Sequence, residues 1–170
     1  MKLDAYDLKI LAALQRDGRM TKLKLADEIS LSPSPCWERL RRLEQAGLIR
    51  GYHADIDIQR LVKISTVLVE ITLGSHHAED FDRFETTVRT VPEIVECYAT
   101  GGGFDYLLKV VTTDIDRYQQ LIDQLLSSNV GIERYFTYIV TKQVKQTVGY
   151  PIDRLVQTEQ RDARSKEQIG

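Results

Sequence analysis

Residues 31–44 read Leu-Ser-Pro-Ser-Pro-Cys-Trp-Glu-Arg-Leu-Arg-Arg-Leu-Glu, a turn rich in serine and proline that leads into an arginine-rich segment. Proline has no backbone N–H and is tolerated in a helix only in its first turn. The sequence therefore predicts a helix that starts at Pro35 with Ser34 as its cap. This helix is expected to continue to Ala46, where Gly47 ends it.

The predicted helix has two chemically different sides. Its apolar residues recur at steps of four and three, at Cys36, Leu40 and Leu43. The opposite side carries Ser34, Trp37, Glu38, Arg41 and Arg42, with Arg39 toward the flank. Arginine can donate two hydrogen bonds to a guanine edge or can bind a phosphate, so this side suits the major groove of DNA. Taken alone, the helix is better explained as a surface helix whose charges are simply solvated.

Two shorter helices are predicted before this one. Asp4 and Thr21 stand where N-caps are expected, and Asp17-Gly18 separates the two helices. Their apolar stripes are Tyr6, Ile10, Leu11 and Leu14 in the first helix and Leu25, Ala26 and Ile29 in the second. Three short helices with a tight turn between the last two form a helix-turn-helix, and this order favours DNA binding over the surface-helix alternative.

Residues 47–58 place glycines around short β-prone pieces, which predicts a hairpin-like wing followed by a linker. Arg50 lies in this segment, where its side chain would be able to reach a phosphate. The candidate DNA-binding residues are therefore Ser32, Ser34, Pro35, Trp37, Glu38, Arg41, Arg42 and Arg50.

The rest of the chain alternates between strand and helix patterns. Strands are predicted at residues 66–73, 94–100, 106–111 and 134–141. Helical spacing is found at Phe81, Phe84, Val88 and Val91, and again at Ile115, Tyr118, Ile122 and Leu125. The resulting order, βαββαβ, is the ferredoxin-like arrangement with both helices on one face of the sheet. The predicted fold class is α+β, a winged helix-turn-helix domain followed by a ferredoxin-like domain.

The second face of this sheet would expose apolar side chains, expected to include Leu68, Leu108, Val110 and Tyr138. A monomer rarely leaves such a surface in contact with water. We therefore expect a homodimer that pairs through this face. Two-fold pairing would also place two helix-turn-helix units about one DNA turn apart.

Residues 100–105 read Thr-Gly-Gly-Gly-Phe-Asp and lie between the second and third predicted strands. Three glycines let the backbone turn tightly or come close to another molecule. Asp105 is placed either to accept the ammonium group of a ligand or to cap local N–H groups. A flexible hairpin turn without a ligand is the other interpretation of this loop.

Charge and composition narrow the function classes. Residues 1–60 carry 11 Lys and Arg against 9 Asp and Glu, whereas residues 61–170 carry 12 against 16, so the basic excess falls on the predicted DNA-binding part. No apolar run is long enough to cross a membrane, and Met1-Lys2-Leu3-Asp4 does not resemble the start of a secretory signal. We therefore expect a cytoplasmic protein in which Cys36 and Cys97 are reduced and packed.

An enzyme is disfavoured because the three histidines, His53, His76 and His77, accompany no evident nucleophile or metal-ligand set. We expect no catalytic residues, metal site or cofactor, and we expect His76-His77 to be a solvated turn. Two further alternatives remain. One is an architectural protein that bends or compacts DNA without an effector. The other is a protein-interaction module, against which the exposed Arg41 and Arg42 argue.

Several segments resemble the Lrp/AsnC family, also called the feast/famine regulators. They are residues 3–11, 17–19, 31–44 and 47–52, together with Phe104-Asp105-Tyr106-Leu107-Leu108 and Val144-Lys145-Gln146-Thr147. The resemblance spans about residues 3–150, and its most specific part is the Ser-Pro-Ser-Pro-Cys turn with the Arg-Arg-Leu-Glu helix. We accordingly expect a DNA-binding domain at 1–60, an effector-binding and oligomerisation domain at 61–150, and a polar tail at 151–170 that forms a frayed helix or is disordered.

The resemblance implies a sequence-specific transcription regulator that controls amino-acid metabolism genes in response to an amino acid or a related metabolite. It implies dimers joined mainly through their sheets, assembly into octamers or related rings, and effectors bound between neighbouring dimers. Carried onto this chain, the effector-binding residues are Gly101, Gly102, Gly103, Phe104 and Asp105. Gly103 stands where many members have an acidic residue, which implies a different choice of effector. The opening segment also looks like that of regulators accompanying ectoine-degradation genes.

Overall fold

The structure is a computed structural model that describes residues 3–147 and 149–157. It divides into two compact units. The first contains residues 3–55 and the described part of 145–157, and the second contains residues 56–144. The predicted divisions at 60 and 150 therefore differ from those in the structure, because the chain returns to the first unit at residue 145. Among the described residues, no helix has both the length and the apolar character needed to span a membrane.

The first unit contains three helices, α1 (Ala5–Arg16), α2 (Lys22–Glu28) and α3 (Pro33–Gln45). Asp4 caps α1 by accepting the N–H groups of Tyr6 and Asp7, and the Asp7 carboxylate accepts the N–H of Asp4 in return. Thr21 caps α2 by accepting the N–H of Lys24 at 3.2 Å. Both predicted caps are confirmed, since each side chain satisfies a backbone donor that the helix leaves free.

The third helix begins two residues earlier than predicted. Its N-cap is Ser32 rather than Ser34, and Pro33 and Pro35 both lie in the first turn. Two prolines fit there because the first N–H groups of a helix have no intrahelical partner. The predicted end is confirmed, because Gly47 adopts a φ of 71° directly after the Ala46 cap.

One apolar cluster joins the three helices. Its buried members are Ile10, Ala13, Leu25, Ala26, Ile29, Cys36, Leu40 and Leu43. The predicted stripes of α2 and α3 are thus confirmed, whereas Tyr6 is 38% exposed and not part of the core. Residues 47–57 form turns and an irregular segment instead of the expected hairpin-like strands, so Arg50 lies on an exposed loop.

A buried carboxylate connects α1 to α3. Asp7 has no exposed surface, and its two oxygens accept hydrogen bonds from Arg42 Nη2 at 2.8 and 2.7 Å and from Arg39 Nη1 at 2.9 Å. Arg39 also binds the Asp4 carboxylate at 2.6 Å. The pKa of Asp4 is lowered, first by the hydrogen bond that its carboxylate accepts from the Asp7 N–H and then by the hydrogen bond from Arg39. Because a buried charge without partners is costly, these contacts hold α3 against the start of α1.

The returning C-terminal segment also binds α1. Gln15 donates from Nε2 to the carbonyl of Tyr150 at 3.1 Å and accepts the N–H of Tyr150 at Oε1, at 2.8 Å. A β-carbon at position 149 would overlap the Gln15 side chain, so glycine there leaves the Gln15 amide in place for this contact. Residues 152–157 of the predicted tail are helical, and its residues 158–170 lie outside the described residues.

The second unit has the predicted ferredoxin-like order. After a 3-10 turn (Ile58–Arg60), its elements are β1 (Ser65–Leu73), α4 (Ala78–Arg89), β2 (Ile94–Ala99), β3 (Tyr106–Thr112), α5 (Ile115–Ser127) and β4 (Ile132–Ile139). The four strands form one antiparallel sheet in the order β2-β3-β1-β4. This order confirms the predicted topology, and only β4 is displaced, by two residues toward the N-terminus.

Helices α4 and α5 cover one face of the sheet. Alternate residues of β1 and β3 are buried beneath them, as is Phe84 of α4. Leu108 and Val110 belong to this face, because they pair with the buried Val69 and Val67 across the sheet. The prediction that Leu108 and Val110 lie on the uncovered face is therefore wrong.

We call the uncovered side of the sheet the open face. Its most exposed aromatic residues are Tyr98, Phe136 and Tyr138, at 54%, 50% and 48% exposure. Leu68 pairs with Tyr138 on this face, as predicted. Lys109 forms an ion pair with Glu96 at 2.7 Å, and Tyr98 donates its hydroxyl to the same carboxylate at 2.6 Å. These two contacts lower the pKa of Glu96, so its carboxylate stays charged on the open face.

The contacts of Asp7 predict a large loss of stability when its charge is removed. Asp7→Asn keeps the shape of the side chain but leaves Arg39 and Arg42 without their buried anion. We expect the free energy of unfolding of the first unit to fall by about 2–4 kcal/mol. Urea titration followed by the fluorescence of the single tryptophan, Trp37, measures this unit directly. The control is Asp27→Asn on the exposed side of α2, which should change the stability by less than about 0.5 kcal/mol. Equal stability of the two variants would contradict this role of Asp7.

Candidate DNA-binding surface and effector loop

The structure leaves every predicted DNA-binding residue exposed. These residues are Ser32, Ser34, Pro35, Trp37, Glu38, Arg41, Arg42 and Arg50. All but Arg50 lie on α3 or at its cap, on the side away from Cys36, Leu40 and Leu43. The helix therefore presents one polar side to solvent while its apolar side packs on α1 and α2, as the sequence predicts.

Arg42 has a carboxylate partner within its own unit. Its guanidinium binds both oxygens of Asp7, so its positive charge is neutralised by the DNA-binding unit itself. Arg39 is engaged in the same way by Asp4 and Asp7. Arg41 differs from both, because no carboxylate of the described residues lies within 4 Å of its guanidinium. Arg42 thus holds α3 on α1, and Arg41 is the α3 arginine with a free charge.

Lys22, the first residue of α2, is a further residue of this surface that no sequence pattern indicates. Its Nζ lies 3.1 Å from the centroid of the Trp37 ring, at the exposed side of the α2–α3 pair. A cation at this distance from an aromatic face is attracted by the ring quadrupole. The contact depends on how α2 crosses α3, and no periodicity in the sequence predicts that crossing.

Asp105 anchors the loop between β2 and β3. Its Oδ2 accepts the N–H of Leu73 at 2.7 Å, and its own N–H donates to the carbonyl of Ile71 at 2.9 Å. Its carbonyl accepts the N–H of Thr100 at 2.8 Å, so both ends of the loop are fixed. Of the two roles predicted for Asp105, the structure shows the capping of a local N–H.

His76 lies beside Asp105 at the same end of the sheet. Its Nε2 lies 3.0 Å from Asp105 Oδ1, and its ring lies 5.8 Å from the ring of Phe81. His76 and His77 are both exposed in an irregular segment, as expected for a solvated turn, and His77 lies directly before α4. Tyr106 lies below Phe81, where burial and a hydrogen bond to Glu85 raise the pKa of its phenol to about 12. The phenol therefore remains neutral at physiological pH.

The three glycines of the loop are exposed and unconstrained. A β-carbon added to Gly101, Gly102 or Gly103 would meet no atom within 4 Å, and none of the three has a positive φ. The tight turn that the sequence suggested is therefore not the reason for glycine here. Phe104 is half-buried, and its carbonyl accepts the hydroxyl of Thr100 at 2.6 Å. The loop is thus fixed at Thr100 and Asp105 and keeps open space along its glycines.

The described residues contain no cluster of three or more His, Cys, Asp and Glu side chains placed to hold a metal ion. Both cysteines are free thiols. Cys36 is buried, and burial raises the pKa of its thiol. Cys97 is exposed, so the prediction that it is a packed thiol is wrong.

A helix-turn-helix with a polar outer side, joined in one chain to a ferredoxin-like unit, defines a DNA-binding regulator with an attached sensor domain. Family comparisons agree with this class. Residues 3–50 match the winged helix-turn-helix DNA-binding model, and residues 66–150 match the Lrp/AsnC ligand binding domain. The chain belongs to the Lrp/AsnC family of transcriptional regulators.

Individual relatives support the same conclusion. The transcriptional regulatory protein DoeX of Halomonas elongata is 62% identical over 146 residues, which cover 86% of this chain and 92% of that protein. The leucine-responsive regulatory protein of Escherichia coli K12 is 41% identical over 85% of this chain and 88% of its own length. A crystal structure of a Neisseria meningitidis transcriptional regulator in complex with L-Met superposes with a TM-score of 0.84 at 32% identity, covering 91% of this chain and 99% of that one.

These findings confirm the predicted family, the fold class and the function as a transcription regulator with DNA and a small-molecule effector as partners. They also confirm that the protein is a regulator and not an enzyme.

Proposed function

We propose that a homodimer inserts the two copies of α3 into successive major grooves of a DNA duplex. The observation that carries this proposal is the free charge of Arg41 on a polar helix side whose other arginines are engaged elsewhere. Arg41 reads a base edge or binds a phosphate. The same surface is lined by Ser32, Ser34, Pro35, Trp37, Glu38, Arg42 and Arg50. Transcription regulation of this kind takes place in the cytoplasm.

The open face supports pairing of two protomers. Phe136 and Tyr138 lie side by side on the edge strand β4 with about half of their surface exposed, and Tyr98 lies on the opposite edge strand. Exposed aromatic side chains of this size are typical of the buried centre of an interface. The ion pair between Glu96 and Lys109 satisfies its own charges within one protomer, so it adds no unpaired charge to the interface. We also propose that dimers assemble further into octamers or related rings, as the family resemblance implies.

The effector proposed for the β2–β3 loop is an amino acid or a derivative of one. Two relatives support this class, one by its name, which is leucine-responsive, and one by its complex with L-Met. Asp105 supplies the carboxylate that an ammonium group would approach, and the glycines supply space. The proposed effectors include compounds of ectoine degradation, because the opening segment of the chain resembles regulators that accompany ectoine-degradation genes. An effector acts here by binding one assembly or DNA-bound state more tightly than another.

Arg41→Ala should weaken specific DNA binding by about 1–3 kcal/mol, the value of one direct base or phosphate contact. The measurement is a gel-shift titration with a fragment selected from genomic DNA. Arg42→Ala is the matched control on the next residue of α3. It should lower thermal stability, because it removes a partner of Asp7, and should weaken binding less than Arg41→Ala does. Full specific affinity in the Arg41 variant would contradict the proposed orientation of α3.

Phe136→Glu should dissociate the dimer. The new carboxylate faces Glu70, the register partner of Phe136 on the open face, and pairing of two protomers would bury both charges. We expect the mass at micromolar concentration to fall to that of the 19.5 kDa protomer, as measured by light scattering after size exclusion. Leu23→Glu, which changes an exposed leucine of α2, is the control and should keep the wild-type mass. An unchanged mass for Phe136→Glu would exclude the open face as the dimer interface.

Gly103→Glu should change the choice of effector without changing the fold. The site has room for the side chain and an ordinary φ, so thermal stability and binding to DNA alone should match those of the wild type. The gel-shift pattern is then compared with L-leucine, L-methionine and ectoine-derived compounds, and the order of their effects should differ between the two proteins. An identical order would remove Gly103 from the effector site. If no compound alters wild-type binding, an effector-independent architectural protein becomes the better description.

A further inference from the structure

The composition of α3 suggests three free positive charges, from Arg39, Arg41 and Arg42, but two of these arginines are paired with carboxylates. Arg39 and Arg42 are neutralised by Asp4 and Asp7. Arg41 keeps its charge free, and so does Lys22 of α2, for which no carboxylate of the described residues lies within 4 Å. The exposed side of the α2–α3 pair therefore combines one free cation from each helix.

The Lys22 side chain is held in place by Trp37. Its ammonium lies 3.1 Å from the centroid of the indole, which is 38% exposed, so the pair is at the surface and open to a ligand. Lysine side chains normally lose considerable rotamer freedom when they bind. A lysine already resting on an aromatic ring has lost part of that freedom before binding, and its ammonium keeps donors that point away from the ring.

We propose that Lys22 binds a backbone phosphate of DNA and that Trp37 positions its ammonium instead of reading a base. This inference rests on the proposed docking of α3. In a helix-turn-helix the first helix of the motif crosses the sugar-phosphate backbone while the second enters the groove, and Lys22 lies on that first helix. An ammonium is a point charge suited to a phosphate oxygen but not to the two-bond recognition of a base edge. The indole face covered by Lys22 is also closed to stacking or to contact with a thymine methyl group.

The test is the salt dependence of DNA binding by the full-length protein, measured between about 50 and 200 mM salt. The plot of log K against log salt has a negative slope. Removing one phosphate contact per protomer makes this slope less steep by about 1 for each protomer bound. Lys22→Gln should show this decrease, with the same fold-loss of affinity on specific and non-specific duplexes. Lys24→Gln is the matched control, because Lys24 lies on the same helix, is similarly exposed and pairs with Asp17 at 3.6 Å. It should keep the wild-type slope.

The positioning role of Trp37 has its own test. Trp37→Phe keeps an aromatic face under the ammonium and should retain most of the affinity, whereas Trp37→Leu removes the face and should weaken binding. In the Trp37→Leu background, Lys22→Gln should cost a smaller fold-loss than in the wild type, because the two residues act together. Additive losses would show that Trp37 does not position Lys22. Thermal melts of each variant confirm that the first unit is folded, as expected for exposed residues.

The outcomes separate the two proposals. A wild-type slope for Lys22→Gln, together with the expected loss for Arg41→Ala, overturns the assignment of Lys22 alone. Wild-type binding by both variants overturns the docking of α3 and this inference with it. A reduced slope for Lys22→Gln that appears only on the specific duplex would show that Lys22 reads sequence, and would likewise overturn its assignment as a phosphate contact.

Discussion

One buried carboxylate determines how the DNA-binding unit is arranged. Asp7 has no contact with solvent and is paired with two guanidinium groups, so α3 can pack only where Arg39 and Arg42 both reach the first turn of α1. The helix dipole favours anions at this end of α1, which makes the same place suitable for Asp4 and Asp7. Arg41, one residue from Arg42, is turned to solvent as a consequence. The interaction that stabilises the unit therefore also selects which arginine remains available to a partner.

The sensor unit uses a carboxylate for a different purpose. Asp105 binds a backbone N–H of β1 and the ring of His76, so it fastens a loop to the end of a sheet and leaves the adjacent glycines free. A partly exposed carboxylate retains acceptor capacity, whereas the fully paired Asp7 retains little. The two residues illustrate how burial and the number of partners determine how much acceptor capacity a carboxylate keeps.

Periodicity in the sequence predicts most of the fold, and each of its errors has an identifiable physical cause. Ser32-Pro33 and Ser34-Pro35 satisfy the same capping rule, so the start of α3 is ambiguous by two residues. Leu107 and Leu108 are both apolar, so alternation along β3 does not reveal which of them faces the helices. Neighbouring arginines lie about 100° apart on a helix, and only the position of Asp7 distinguishes their surroundings. The errors in β3 and among the arginines arise where the decisive partner is distant in sequence, as it also is for Lys22.

Regulation requires the state of the sensor unit to reach the DNA-binding unit, and the chain connects the two units twice. It leaves the first unit after residue 55 and returns at residue 145. The returning segment is fixed to α1 by two hydrogen bonds between Gln15 and the backbone of Tyr150. Helix α1 is also bound to α3, through the hydrogen bonds of Asp7. Hydrogen bonds therefore connect the returning segment to α1 and α1 to α3. A second covalent connection between the units, besides the linker that precedes β1, therefore ends on a segment bound to the helix that packs against α3.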